Sequence, residues 1–177
     1  MEVEYVDIYT KDREKTGRSV PRKNRKLRED EYMLYVLALV ENQENKFLLT
    51  RRAKDKHWAA GWWEIPGGGA SAGESSFQAV SRELREETGL DVSDLKRPCC
   101  YTYRNDDPEN GDNYFVDLYY FRIPFTGKDL NLQEEEVTGA RLVPESDFEA
   151  LSKRDGFLHY ERVLEALSVL RKSGVRK

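Results

Sequence analysis

From Tyr32 to Val40 the chain reads YMLYVLALV, apolar at consecutive positions and not at alternate ones. A strand of this kind has no face to offer to water, so it belongs inside a sheet that is covered on both sides. The neighbouring segments supply what that strand needs. Glu41 to Asn45 reads as a turn and Lys46 to Arg51 as a second strand, which together predict a hairpin. Trp62 to Ile65 forms a short strand, Pro66-Gly67-Gly68-Gly69 a break, and Ser75 to Thr88 a helix. Ser75 and Gln78 have capping-box spacing, and Gly89 stands where a left-handed C-terminal cap belongs.

Strands follow at Cys99–Arg104 and Tyr114–Ile123, separated by the turn-rich NDDPENGDN, and a last one at Val137–Val143. Pro144 and Ser146-Asp147 open a short helix, and Phe157 to Arg171 has amphipathic spacing. This order of elements predicts an α/β domain with a mixed sheet packed between helices, spanning 32–177. Ahead of it, Val3 to Val20 reads as a hairpin turning near Lys15-Thr16-Gly17, and a basic connector completes 1–31, packed on the domain.

Composition narrows the function. A net charge of −4 argues against a polyanion-binding surface over the whole molecule, so no nucleic-acid partner is expected. The stretch from Arg18 to Arg28 holds six cations and no acid, and reads as a solvated basic loop. Met33 to Val40 is too short to cross a bilayer, and MEVEYVDIYT has no signal-peptide pattern. The adjacent Cys99 and Cys100 have no third cysteine to pair with, so a reducing, cytoplasmic setting is expected, with both thiols buried on a strand.

On the predicted helix, Phe77, Val80 and Leu84 share a face turned to the core. Glu83, Glu86 and Glu87 fall in a neighbouring sector about 100° wide, while Arg82 and Arg85 point elsewhere on the wheel. Three carboxylates at i, i+3 and i+4 repel one another. They form either a solvated face or a site for a hard cation such as Mg²⁺.

The wider pattern bears on that choice: Gly68, five residues, Glu74, seven residues, then Arg82-Glu83-Leu84-Arg85-Glu86-Glu87-Thr88-Gly89-Leu90. This segment resembles the Nudix box, with every fixed position of that signature filled. The resemblance implies the family's α/β/α sandwich and hydrolysis of a diphosphate linkage in a small molecule. It implies Glu83, Glu86 and Glu87 as ligands of Mg²⁺ (Mn²⁺ in its place), Glu74 nearby, and Arg82 orienting a carboxylate. The group that takes the proton from water is then Glu83, Glu86 or one of Glu134-Glu135-Glu136.

The opening segment around Asp7-Ile8-Tyr9 and Thr16-Gly17-Arg18-Ser19-Val20-Pro21-Arg22, with Trp63-Glu64-Ile65-Pro66-Gly67-Gly68, resembles the isopentenyl-diphosphate-isomerase-like subgroup. Those isomerases need a catalytic cysteine and a histidine-rich metal site. Here Cys99 and Cys100 follow the box and only His57 and His159 are present, so hydrolysis is expected over isomerisation. A non-catalytic nucleotide-sensing domain is a further alternative, although an eroded box would then be expected.

For substrate contact the candidates are Gly68 and Gly69, where the backbone can approach a ligand, together with Arg51, Arg52, Lys56 and His57. Lys54 is a further phosphate candidate. Trp58, Trp62 or Trp63 would stack on a base, with at least one of the latter two expected in the core. His159 is expected to be structural. Exposed aromatics and the N-terminal hairpin suggest a homodimer.

Overall fold

The computed structural model describes residues 3–23, 25–55 and 58–176. The strand Met33–Glu41 (β3) alternates between two cores, as its unbroken apolar run requires. Leu34, Val36, Ala38 and Val40 face one cluster with Ala79, Val80 and Leu84 of the helix Ser76–Thr88 (α1). Leu37 and Leu39 face the other, against Val163, Ala166, Leu167 and Leu170 of the helix Tyr160–Lys172 (α3). The helix Phe148–Asp155 (α2) adds Phe148 and Leu151 to this second layer. Burying each of the Val, Leu and Phe side chains is worth roughly 1.5–3 kcal/mol, which fixes the strand between its two helical layers.

The sheet is mixed. β3 runs parallel to Tyr114–Arg122 (β8) along its whole length, and β8 pairs antiparallel with Tyr101–Asn105 (β7). The expected hairpin of β3 with Lys46–Arg52 (β4) exists only at its closed end, in the pair Glu41↔Phe47. Beyond that pair the two strands diverge. β4 continues antiparallel to Val137–Pro144 (β9), and its other edge takes the two-residue strand Trp63–Glu64 (β5).

The edge of β3 that β4 leaves free is taken by Gly67–Gly69 (β6), paired in register Leu37↔Gly67, Val36↔Gly68 and Tyr35↔Gly69. The expected break at Pro66–Gly69 is therefore a strand. Glycine permits it: a methyl group on Gly67 would overlap the Val36 carbonyl oxygen. This pairing carries the glycine run into the mouth left by the splayed strands.

Helix α1 begins and ends where its caps predict. The Ser75 hydroxyl accepts from the Gln78 amide, the Gln78 side chain accepts in return from Ser75 N–H, and Gly89 closes the helix at φ 79°. At the N-terminus, Tyr5–Tyr9 (β1) pairs with Lys15–Pro21 (β2). The turn lies before Lys15 and not at Lys15–Gly17. Thr10 N–H donates to the Glu14 carbonyl and Arg13 N–H to that of Thr10, with Arg13 itself at φ 66°. Arg13 then reaches the buried Asp117 of β8, clamping the hairpin to the sheet. No helix among the described residues is long and apolar enough to cross a membrane.

Candidate active site

The divergence of β3 and β4 opens a cleft of about 1460 Å³. One wall is α1, presenting Glu83, Glu86 and Glu87 as the wheel predicts. Glu83 and Glu87 are buried, at 8% and 9% exposure, whereas Glu86 is open to solvent. Gly68 of β6 packs directly on the Glu83 carboxylate: a methyl there would stand 2.5 Å from Oε1. The Gly67 amide donates to Glu87 Oε2 at 3.3 Å. The strand that sequence patterning misses is thus what holds two of the glutamates.

Arg82 does not point away from them. Its long side chain folds over the helix, and Nη1 donates to both Glu83 and Glu86 at 3.0 Å. Nε and Nη2 hold the two oxygens of Glu74 at 2.7 and 2.9 Å, and Nη2 also reaches the Gly69 carbonyl at 3.1 Å. Glu74 in turn accepts from Ser71 N–H. One guanidinium therefore joins the loop before α1, strand β6 and the glutamate sector. Burial works to raise the Glu74 carboxyl, but Arg82 and the Ser71 amide bring it below its ordinary value.

The other two acids behave differently. Burial raises the Glu83 carboxyl against the opposing pull of Arg82. Burial raises Glu87 well above the ordinary range, and the charges of Glu64, Glu83 and Glu136 push it further. Glu64 on β5 and Glu136 before β9 both line the cleft, so acids from separate elements converge on Glu87. Of the run Glu134–Glu136, only Glu136 reaches it. Among the described residues no three acidic, cysteine or histidine side chains stand together as a ligand set, and Arg82 is bonded to both Glu83 and Glu86. The donor set nevertheless fits a hard divalent cation. It consists of carboxylate oxygens, two of them desolvated and mutually repelling, and a cation would relieve that repulsion.

Of the expected substrate contacts, Gly68 lines the cleft and Gly69 borders it through Arg82. Arg52 lines it too, bound to both oxygens of Glu64 at 3.0 and 3.1 Å. Arg51 turns aside, donating to the Gly61 carbonyl and lying over the Trp63 ring. Lys56 and His57 lie outside the described residues. Trp63 is buried and Trp62 packs against Gly156, while Trp58 stands in the cleft wall, 63% exposed. Cys99 and Cys100 lie away from the cleft, their thiols pushed up by burial to about 11 and about 12.

The turn into α3 brings His159 to the cleft wall. It lines the cleft opposite α1, 6.5 Å from the Trp58 ring and 3.3 Å from the Tyr103 hydroxyl. Burial, with the cations Arg52 and Arg162 nearby, lowers its pKa to about 4. An unfolded histidine titrates near 6.5, so between these values the unfolded chain binds the extra proton. The stabilising contribution is full above about pH 6.5 and lost as pH falls towards 4, by roughly 3 kcal/mol. Asparagine tolerates the φ of 61° at this position. Urea titrations from pH 7 to 4 should therefore show His159→Asn losing about that much less stability than the wild type. Parallel losses in the two proteins would refute the assignment.

Sequence patterning also missed Glu64, Tyr35 and Tyr114, which line the cleft, and the place of Arg22, Lys23 and Arg25 within it. Glu64 carried a faint signal, as an acid on a strand leading straight into the glycine run.

Fold and cleft together define an α/β protein whose splayed sheet presents a helix of acids to an open cleft. The NUDIX domain family matches residues 31–166. The chain is 32% identical over 161 residues to an uncharacterised Nudix hydrolase of Listeria monocytogenes, covering 89% of this chain and 90% of that one. It is 33% identical over 165 residues to Nudix hydrolase 3 of Arabidopsis thaliana, covering 88% of this chain but 21% of the plant protein. Among solved structures, DR0079 of Deinococcus radiodurans superposes with a TM-score of 0.67 at 22% identity, over 86% of this chain and 91% of that one. A MutT protein of Methanosarcina mazei gives 0.63 at 23% identity, over 80% and 95%. The chain belongs to the Nudix family and is a Nudix pyrophosphohydrolase. Enzymes of this family typically use divalent metals.

Proposed function

We propose that the protein hydrolyses a diphosphate linkage in a nucleoside diphosphate derivative or related small molecule, using Mg²⁺ held by Glu83, Glu86 and Glu87, with Mn²⁺ able to replace it. The observation that carries this reading is the pair of buried carboxylates, Glu83 and Glu87, held by the glycine strand β6 at the wall of a single cleft. When bound, the metal supplies positive charge to the phosphates and a more acidic water.

The chain's own groups do the rest. Gly68, with no side chain of its own, lets β6 pack directly on the Glu83 carboxylate, and the Gly67 amide donates to that of Glu87. Arg82 orients Glu83 and Glu86. Glu136 lines the cleft within electrostatic reach of Glu87, which supports it as the proton acceptor of its run. Arg52 offers a cation to the diphosphate, and Trp58 and His159 present a flat wall to a leaving group.

From the segments that resemble the isopentenyl-diphosphate-isomerase-like subgroup, we propose that the protein belongs to it as a hydrolase. Cys99 and Cys100 are off the cleft, so neither thiol serves isomerase chemistry there. We also propose that it works in the cytoplasm on a small molecule, without nucleic-acid or membrane partners, and as a homodimer through the N-terminal hairpin, where Val3 and Tyr5 are exposed.

The test is a screen of nucleotide sugars, dinucleotides and nucleoside triphosphates with Mg²⁺ and with Mn²⁺, reading phosphate after a coupling phosphatase. Metal-dependent turnover of at least one compound is expected. Inactivity on all of them with both ions would favour the sensing alternative.

A further inference from the structure

The basic segment after β2 is solvated as expected at Lys23, Lys26 and Arg28, and it also runs along the cleft, with Arg22 and Arg25 half-buried. Arg18 and Arg28 pair with the buried Glu31, which leaves Arg22, Lys23 and Arg25 along the cleft. The segment is pinned at both ends: Arg22 N–H donates to the Glu4 carbonyl, and the Asn113 side chain donates to the Glu29 carbonyl.

Arg22 lies beside β6 and within electrostatic reach of Glu83, and a methyl on Gly69 would sit 3.4 Å from its guanidinium carbon. The Glu4 carboxylate holds it there at 2.8 Å. Arg25 donates to the Arg22 carbonyl at 3.3 Å and approaches Asp112 at 3.6 Å, while its Nε is buried without a partner. Lys23 lines the same cleft and makes no hydrogen bond or ion pair among the described residues. Like charges on neighbouring residues repel each other, and here Arg22 and Arg25 each make one ion pair while Lys23 makes none among the described residues. An anion seated between them would satisfy all three with charge-assisted bonds.

We propose that Arg22, Lys23 and Arg25 form a subsite for a phosphate beyond the scissile pair, so that the substrate is a chain of at least three linked phosphates. This rests on the hydrolase reading of the cleft, in which the glutamate wall takes the first two phosphates. Arg22 adjoins that wall, and Lys23 and Arg25 extend the positive surface to the side of the cleft nearest Asp112.

The test uses inorganic diphosphate and inorganic tripolyphosphate as probes, with Ca²⁺ as the hard cation, titrated calorimetrically into the full chain and into K23Q/R25Q. Both substitutions are at half-buried or exposed positions outside the core, and circular dichroism would verify the fold. The wild type should bind tripolyphosphate at least about tenfold more tightly than diphosphate, the size of one hydrogen bond to a charged group. In the double variant that ratio should collapse towards unity while diphosphate binding changes by less than about threefold. Tight diphosphate binding with no preference for tripolyphosphate, or a preference unchanged in the variant, overturns the subsite and leaves the hydrolase reading standing. Failure of the wild type to bind either probe overturns both.

Discussion

Replacing Glu87 by Gln should lower Mg²⁺-dependent turnover by about 10²–10³-fold, the loss expected when an electrostatic element of a hydrolytic site is removed. The same change should leave the metal-free protein at least as stable as the wild type. Glu87 is 9% exposed and faces the charges of Glu64, Glu83 and Glu136. Its side chain has a neutral donor, the Gly67 amide, and the carbonyl oxygen of a glutamine side chain accepts that bond equally well. A like-charged carboxylate is therefore exchanged for a neutral isostere in a desolvated place, a change worth on the order of 1 kcal/mol in favour of the folded state. Mg²⁺ should raise the melting temperature of the wild type, because a ligand that binds only the folded chain stabilises it, and should raise that of the variant much less. Turnover at the wild-type rate in E87Q would remove Glu87 from the metal site. A large loss of stability without metal would refute the view that this carboxylate is retained at a structural cost.

What could be read ahead of the structure divides along the range of the interactions. Helix α1 was legible to its ends, because Ser75, Gln78 and Gly89 act within a turn of where they stand. The double burial of β3 was legible because nine consecutive positions report it. Strand β6 was not. Three glycines carry no strand propensity, and their pairing exists only because β3 and β4 part after Glu41↔Phe47.

The same holds for the site. Glu83, Glu86 and Glu87 could be grouped from helical spacing alone, but Glu64 and Glu136 come from elements brought together by tertiary folding. The resemblance set Arg82 beside a carboxylate, where it lies, while the wheel turned it away because a wheel records where Cβ points and ignores the reach of a long, flexible side chain. A run of cations reads identically whether it faces water or a cleft, so the positions of Arg22, Lys23 and Arg25 had no local signature. His159 likewise gave no sign that the turn into α3 would bring it to the cleft wall.

Arg82 is where these ranges meet, and its replacement has the second large effect. Its guanidinium uses three nitrogens on Glu74, Glu83, Glu86 and the Gly69 carbonyl, a planar fork that lysine cannot reproduce. Arg82→Lys keeps the charge and drops most of those bonds. Since the side chain remains 21% exposed, the stability loss should be about 2–3 kcal/mol, below the full value for a broken buried pair. As a positioning residue it should matter most through the carboxylates it holds. Loss of such a support typically costs about 10–100-fold in metal affinity, so the Mg²⁺ concentration for half-maximal turnover should rise by that factor. A purely structural role would lower stability and leave the Mg²⁺ requirement unchanged. A cycle with Glu74→Gln separates the two contributions. Arg82–Glu74 coupling should appear in urea stability, while E74Q alone, which leaves the bonds from Nη1 to Glu83 and Glu86 in place, should shift the Mg²⁺ requirement far less than R82K does. Equal shifts in the two single variants would mean that Arg82 acts by holding the loop at Glu74 and not by aiming the glutamates.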